Sequence, residues 1–188
     1  IYVDEDGNEI ILENDKENHK ALLLSKYILD CVPYSFIDGD VLWESSNLRK
    51  FLNEDFYQNA FDEFSKHFIM ENEMSNGDNV NYKTDGGNNT IDKVFVLSES
   101  QVKKYLKRNS KSGDNRVALP TKYALNRNIY VNIDEDELYA GYSPYWLRTP
   151  GIEKDRVEVV DYNGEIFAYG ELATNVETGV RPCIWIKY

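Results

Sequence analysis

Residues 145–151 have the sequence YWLRTPG, and the architecture of the chain can be inferred outward from them. Two large aromatic side chains and a leucine flank Arg148, and the pair Pro150–Gly151 then favours a turn. Burying an arginine in an apolar segment costs free energy unless its guanidinium has a partner. The stretch therefore predicts a core strand whose cation is held by a fixed partner.

The same pattern returns near the C-terminus. Residues 179–182 read GVRP and lead directly into the apolar run Cys183–Ile186. Arg181 has here the place that Arg148 has in the first stretch. We predict a second core strand, again with one arginine that is buried and paired.

Further short apolar runs predict additional strands. Where Asp-Gly or Asn-Gly separates two such runs, a tight hairpin is favoured, because glycine adopts positive φ without steric cost. Gly7 and Gly164 stand at two such positions. The predicted strands outside the two arginine stretches are residues 1–3, 10–12, 21–24, 27–29, 93–97, 156–160 and 166–169.

Helical spacing and capping residues predict two or three helices between the strands. Ser46 is placed to cap a first helix, and Asn53 can end it and cap a second one. The apolar positions of these two helices, which we expect to face the core, are Leu48, Phe51, Leu52, Phe56, Ala60, Phe61 and Phe64. Ser98 and Gln101 have the spacing of a capping box, and Thr121 can cap one short turn. The predicted fold class is therefore α+β, with mixed, mainly antiparallel sheets.

Length and charge restrict the function classes. A chain of 188 residues suits a single domain over residues 1–188, and its start at Ile1 without methionine suggests a domain excised from a larger protein. The net charge of −12 repels phosphate backbones and anionic lipid, which argues against nucleic-acid or membrane-surface partners. No apolar run approaches the roughly 20 residues of a transmembrane helix.

Sequence signatures of catalysis and metal binding are missing. Cys31 and Cys183 are interpreted as two buried free thiols, with a disulfide as the alternative. Residues 134–137 form the densest acidic cluster, which we interpret as a solvated loop because it lacks the ligand spacing of a calcium site. We expect no metal and no cofactor.

Three arginines beside large apolar residues remain as candidates for function. One interpretation is a cation–aromatic pocket that binds a carboxylate, sulfate or sugar. Its candidate ligand-binding residues are Arg49, Tyr145, Trp146, Arg148 and Arg181. The other interpretation, which we favour, pairs the arginines internally with acids such as Glu44 or Asp92, so that they brace the core.

Four motifs in a fixed order resemble a known family. They are WxxSxLRxxLN from Trp43, DKVFVLS from Asp92, WLRTPG from Trp146 and GVRP from Gly179. Together, over about residues 21–186, they resemble the uncharacterised bacterial domain of unknown function 6273. That family is common in Gram-positive gut bacteria and is often attached to larger envelope proteins. More distantly, the chain is similar to the C-type-lectin-like fold of the formylglycine-generating, sulfatase-modifying factors.

The resemblance brings no established activity, and three alternative functions remain open. The first, which we favour, is a non-catalytic binding or interaction module of an envelope-attached or secreted bacterial protein, with an unknown glycan, peptide or protein ligand. The second is an enzyme related to the formylglycine-generating factors, whose oxidase chemistry needs a reactive cysteine pair. The third is a structural spacer. An exposed cleft at Tyr145 and Trp146 would favour binding, and full internal pairing of the arginines would favour the spacer.

Overall fold

The computed structural model describes residues 9–106, 115–134 and 138–188. The predicted hairpin at Gly7 and most of the acidic cluster at 134–137 lie outside these ranges. The strands are β1 (Glu9–Asp15), β2 (Lys20–Ser25), β3 (Asp30–Cys31), β4 (Asn72–Met74), β5 (Thr90–Asp92), β6 (Val94–Phe95), β7 (Tyr145–Pro150), β8 (Arg156–Val160), β9 (Ile166–Leu172), β10 (Gly179–Val180) and β11 (Cys183–Lys187).

The strands form two main sheets and a small one. The four-stranded sheet has the order β1-β2-β11-β6, and the five-stranded sheet has the order β3-β10-β7-β8-β9. Strands β4 and β5 pair with each other. Every ladder between these strands is antiparallel except the contact of β10 with β7. The prediction of mainly antiparallel sheets is confirmed.

The helical segments are short. They are a 3₁₀ turn (Trp43–Ser45), α1 (Asn47–Phe51), a π-helical turn (Leu52–Phe56), α2 (Tyr57–Ala60), α3 (Glu63–Lys66), α4 (Glu99–Tyr105) and α5 (Lys122–Leu125). The predicted caps are present, since the side chains of Ser46, Ser98 and Thr121 each accept a hydrogen bond from the first turn. Ser98 and Gln101 also complete the predicted capping box. The segments α1 and α2 are continuous through the π-helical turn and form one helix. Together with α3, α4 and α5, the described residues therefore contain four helices.

The prediction that Asn53 ends one helix and caps the next is wrong. The helix continues through Asn53, whose amide nitrogen donates to the backbone oxygens of Arg49 (3.1 Å) and Val94 (2.9 Å). Its amide oxygen accepts from the backbone nitrogen of Lys93 at 2.8 Å. Asn53 therefore ties the helix to the chain between β5 and β6, a long-range role that local sequence does not reveal.

The predicted phenylalanine stripe is correct only in part. Phe56 and Phe61 pack against the core, but the side chain of Phe64 is 74% exposed. The helix ends at Phe61, which is extended, and Asp62 caps a new helix. The helical phase is lost at this break, so Phe64 no longer continues the buried face.

The predicted core strand at residues 145–150 is confirmed, because all six residues of β7 are buried. Two tryptophans, Trp146 of β7 and Trp43, are completely buried. The indole nitrogen of Trp146 donates to the backbone oxygen of Val32 (3.0 Å), and that of Trp43 donates to the carboxylate of Asp92 (2.8 Å). The ring of Tyr34 lies between the two indoles, with centroids 5.8 Å from Trp146 and 6.1 Å from Trp43.

Candidate functional site

Arg148 is buried among neutral acceptors. Its guanidinium donates to the side-chain oxygens of Asn76 (3.1 Å) and Gln101 (2.6 Å). It also donates to the backbone oxygens of Val96 (2.9 Å) and Ser75 (3.3 Å). Burial lowers the pKa of Arg148 to about 10, so the side chain still carries its charge at neutral pH. A fixed set of partners exists, as predicted, but it contains no carboxylate.

Arg181 is held in the same way. It donates to the backbone oxygens of Ser25 (2.8 Å), Asn115 (2.9 Å) and Arg116 (3.2 Å), and to the hydroxyl of Tyr145 (3.2 Å). The guanidinium also lies 5.2 Å from the centroid of the Tyr145 ring. The expectation of acidic partners is therefore wrong for Arg148 and Arg181. Several carbonyl dipoles, delivered by distant segments, stabilise each cation instead.

Arg49 has the acidic partner that we predicted. Its Nε lies 2.6 Å from the Oδ1 of Asp92, a carboxylate with no exposed surface. Glu44, the other expected partner, contributes its backbone oxygen at 3.2 Å, while its carboxylate accepts from the amide of Asn88 at 2.9 Å. The side chain of Arg49 remains 28% exposed.

The five predicted ligand-binding residues do not share an exposed cleft. Tyr145, Trp146, Arg148 and Arg181 are 1%, 0%, 4% and 1% exposed. Their polar atoms contact other parts of the chain rather than solvent. The ligand-binding role of these five residues stays a prediction. Among them, only Arg49 has appreciable exposed surface with which to contact a ligand.

Both cysteines are free and buried, as we predicted. Cys31 lies in β3 and Cys183 in β11, which belong to different sheets. Burial raises the pKa of Cys31 to about 11 and that of Cys183 to about 12. Both shifts disfavour the thiolate, which is the reactive form of cysteine.

A concave surface that the sequence did not reveal lies on the five-stranded sheet. We call it the aromatic–acidic groove, and its volume is about 320 Å³. It combines three aromatic rings, three carboxylates and small polar side chains. The residues that line it are Tyr130, Pro144, Val159, Asp161, Tyr162, Phe167, Glu171, Asn175, Glu177 and Thr178.

The aromatic side chains of this groove are accessible. Tyr130 is 44% exposed and Phe167 is 41% exposed. The rings of Tyr130 and Tyr162 are in contact, with centroids 6.1 Å apart, and the ring of Phe167 lies 6.0 Å from that of Tyr169. Such rings provide flat apolar surface to a ligand.

The carboxylates of the groove have few internal partners. Burial raises the pKa of Asp161, although its side chain accepts a hydrogen bond from the backbone nitrogen of Tyr162. Glu171 has a long contact of 3.5 Å with the amide of Asn175. Among the described residues, Asp161, Glu171 and Glu177 take part in no ion pair.

Local structure explains how the groove forms. The predicted hairpin at Gly164 is present, and this glycine has a φ of 80°. The turn returns the chain from β8 to β9 and brings Asp161 near Phe167. The backbone nitrogen of Tyr130 donates to the oxygen of Glu177 at 2.9 Å, which fixes a second wall. Sequence reasoning identified the hairpin, but residues 166–169 read IFAY, and nothing in this run indicated which of its rings are exposed.

A buried acid lies elsewhere on the same sheet. Glu158 has no exposed surface, and its Oε1 accepts from the amide of Asn79 at 2.9 Å. Its Oε2 has no hydrogen-bond partner among the described residues. Burial and the nearby Glu99 raise the pKa of Glu158 to about 9. The side chain is therefore protonated at neutral pH.

A second concavity, the apolar groove, lies beside the four-stranded sheet. Its volume is about 310 Å³, and its walls are almost entirely aliphatic and aromatic. The residues that line it are Leu23, Leu24, Ser25, Tyr27, Leu29, Phe56, Ala60, Phe61, Val94, Pro182 and Ile184. It presents few polar groups with which to orient a ligand.

The part of the chain that the structure describes contains neither a metal-binding cluster nor a membrane-spanning helix. In residues 9–106, 115–134 and 138–188, no three His, Cys, Asp or Glu side chains are grouped so as to hold a metal ion. None of the helices in these ranges has the length and apolar character that crossing a membrane requires.

Comparison with known proteins identifies the family of the chain. Neither a search of curated proteins nor a search of solved structures found a match. A family model, the domain of unknown function DUF6273, matches residues 18–188. The match includes both arginine stretches and every residue of the aromatic–acidic groove. The chain therefore belongs to the DUF6273 family.

Proposed function

We propose that this protein is a non-catalytic binding module and that its ligand, a glycan or a peptide, occupies the aromatic–acidic groove. The observation that carries the proposal is the composition of this groove. Exposed rings of Tyr130 and Phe167 stand beside carboxylate and amide groups in a concavity of about 320 Å³. Ligand sites characteristically combine apolar surface with a few polar groups that orient the ligand.

The proposal moves the ligand site away from the arginines. Arg148 and Arg181 donate to internal oxygens and are only 4% and 1% exposed, so they present almost no surface that could hold a carboxylate or sulfate. In the part of the chain that the structure describes, no cationic side chain lines the groove. Its ligand is therefore expected to be neutral or cationic, and strongly anionic ligands are disfavoured.

We also propose that the parent protein is secreted or attached to the cell envelope. The support for this placement is the resemblance to domains that are attached to larger envelope proteins. Fractionation of cells that express the native parent protein tests it, because recovery in the cytosolic fraction alone would contradict it. The C-type-lectin-like architecture also stays a prediction, which superposition of an experimental structure on lectin-like domains would test.

A glycan and peptide array, run with and without calcium, tests the binding function. We expect one class of ligand to be retained, and we expect the variant Tyr130→Ala/Phe167→Ala to lose it. Phe36→Ala is the matched control, because this phenylalanine is 66% exposed and lies outside the groove lining. Retention of the same ligands by the groove variant would contradict the proposal.

A structural spacer is the second candidate function. Internal hydrogen bonding of all three arginines favours it, since these residues then serve stability rather than ligand binding. Under this alternative, the array gives no signal that depends on Tyr130 and Phe167. An enzyme related to the formylglycine-generating factors receives less support, because burial disfavours the thiolates of Cys31 and Cys183.

A further inference from the structure

We propose that the aromatic–acidic groove binds the cationic side chain of a partner peptide, a lysine or an arginine. This inference rests on the proposed function, because it specifies the ligand of the same groove. Elsewhere in the molecule, some carboxylates and some aromatic rings have internal cations as partners. Among the described residues, the groove carboxylates Asp161, Glu171 and Glu177 and the rings of Tyr130 and Phe167 have none.

The carboxylates of the groove are the first reason to expect a cationic ligand. Elsewhere, lysines and arginines neutralise some of the acidic side chains: Asp92 pairs with Arg49 (2.6 Å), and Asp85 pairs with Lys154 (3.1 Å). In contrast, none of the ion pairs between described residues includes Asp161, Glu171 or Glu177. A cation from outside the chain would complete this set with charge-assisted hydrogen bonds.

The aromatic rings of the groove are a second, independent reason to expect a cationic ligand. Some rings elsewhere carry an internal cation, as in Lys93 over Tyr57 (4.7 Å) and Lys20 over Trp185 (5.2 Å). In the part of the chain that the structure describes, the rings of Tyr130 and Phe167 have no such partner. Aromatic faces attract ammonium and guanidinium groups, and the attraction is stronger when both are shielded from water.

Charge selects among ligands that could fill the groove. The net charge of the chain is −12, and no lysine, arginine or histidine of the described residues lines the groove, so cations are attracted and anions are repelled. Burial already penalises the charged form of Asp161, and a bound cation would relieve that penalty. A neutral sugar would leave the carboxylate charges uncompensated.

The position of the groove favours a peptide as the source of the cation. Phe167 and Glu171 belong to β9, which is the last strand in the order of the five-stranded sheet. An extended peptide can lie beside an edge strand and direct a side chain into an adjacent groove. The long apolar stem of lysine or arginine would contact the rings while its charged end reaches the carboxylates.

Titration of the 188-residue chain with short peptides tests the inference. The probes are glycine-rich, terminally blocked peptides with two lysines, with two arginines, with two acetyl-lysines or with two glutamates. We expect the lysine and arginine peptides to bind, with an affinity that falls as salt is added. Acetylation should weaken binding by about tenfold or more, because it removes the charge.

Matched variants distinguish peptide binding in the groove from non-specific attraction to the net negative charge of the protein. Glu171→Gln/Glu177→Gln should weaken lysine-peptide binding by about tenfold or more, and Tyr130→Leu should also weaken it. Glu153→Gln removes one exposed carboxylate outside the groove lining and should leave the Kd unchanged. Urea unfolding midpoints close to that of the unmodified chain establish that each variant is folded.

Three results would overturn the inference. They are equal affinity for lysine and acetyl-lysine peptides, equal weakening by Glu153→Gln and by the double variant, and no binding of either cationic peptide. If the groove instead binds a neutral oligosaccharide that depends on Tyr130 and Phe167, the cationic ligand is wrong but the binding function stands. If neither peptides nor sugars bind, both proposals fail.

Discussion

The buried arginines and the aromatic–acidic groove differ in how their charges are satisfied. Arg148 and Arg181 each donate to at least four oxygen atoms of the chain itself. The carboxylates of Glu171 and Glu177, which are further from the core, have no cationic partner among the described residues. Charge that is satisfied internally serves stability, whereas accessible charge without a partner can serve a ligand. The family motifs therefore mark the structural region rather than the proposed ligand site.

The largest expected effect is at Arg148. Replacing it with leucine leaves the oxygens of Val96, Asn76 and Gln101 buried without this donor. Each lost partner of a buried polar group costs about 1–3 kcal/mol, so we expect Arg148→Leu to lower the free energy of unfolding by about 3–5 kcal/mol. Urea unfolding measures the change, and Arg181→Leu should behave similarly.

Lys50→Leu is the matched control for this measurement. Lys50 is exposed on α1, and its replacement should change the free energy of unfolding by less than about 0.5 kcal/mol. If Arg148→Leu were as mild as this control, the structural role of the arginine would be refuted.

The next effect concerns the pH dependence of stability through Glu158. Its pKa is raised to about 9 in the folded protein, from about 4.3 in an unfolded chain. Between these values the folded state binds more protons than the unfolded state, so Glu158 stabilises the fold fully below about pH 4.3 and progressively less as pH rises. Its contribution should fall by about 2–3 kcal/mol from pH 5 to pH 7.

Glu158→Gln isolates this contribution, because glutamine is neutral at every pH and retains an oxygen for the amide of Asn79. Subtracting the stability of the variant from that of the unmodified chain at each pH cancels the other titrating groups. The difference should fall with rising pH. A flat difference would mean that Glu158 is already ionised at neutral pH.

A smaller loss of stability is expected at Arg49. Its removal leaves the buried carboxylate of Asp92 without a cation, but the indole of Trp43 (2.8 Å) and the hydroxyl of Thr90 (2.7 Å) still donate to it. Because Arg49 is also partly exposed, we expect Arg49→Leu to cost about 1–3 kcal/mol. A double-mutant cycle with Asp92→Asn measures the coupling, which should be absent if the two side chains act independently.

Sequence reasoning succeeded where the determining interactions are local. Strand β7 follows from its apolar run, the start of α4 from the spacing of Ser98 and Gln101, and one hairpin from Gly164. The prediction that Phe64 faces the core was wrong because the helix ends at Phe61 and a new one begins after it. That break depends on the backbone conformation at Phe61.

Long-range contacts could not be predicted in the same way. The acceptors of Arg181 include backbone oxygens of Ser25 and Asn115, and every residue type has such an oxygen. The groove likewise combines Tyr130 with residues of the β8–β9 hairpin and of the segment 175–178. These segments are adjacent only in the folded chain. Residue types that are scattered along the sequence provide no motif, so neither the acceptors nor the groove could be identified beforehand.

The smallest effect on stability is expected at Phe167. Its ring is 41% exposed, and truncation to alanine removes surface that water already reaches in part. We expect Phe167→Ala to lower the free energy of unfolding by less than about 1 kcal/mol, against about 3–5 kcal/mol for a fully buried aromatic such as Trp146. The same change should weaken ligand binding in the groove, because the ring supplies one of its exposed aromatic faces. Urea unfolding and peptide titration of the one variant give both values. A large loss of stability with unchanged binding would reverse the comparison, placing Phe167 with the buried arginines as a structural residue.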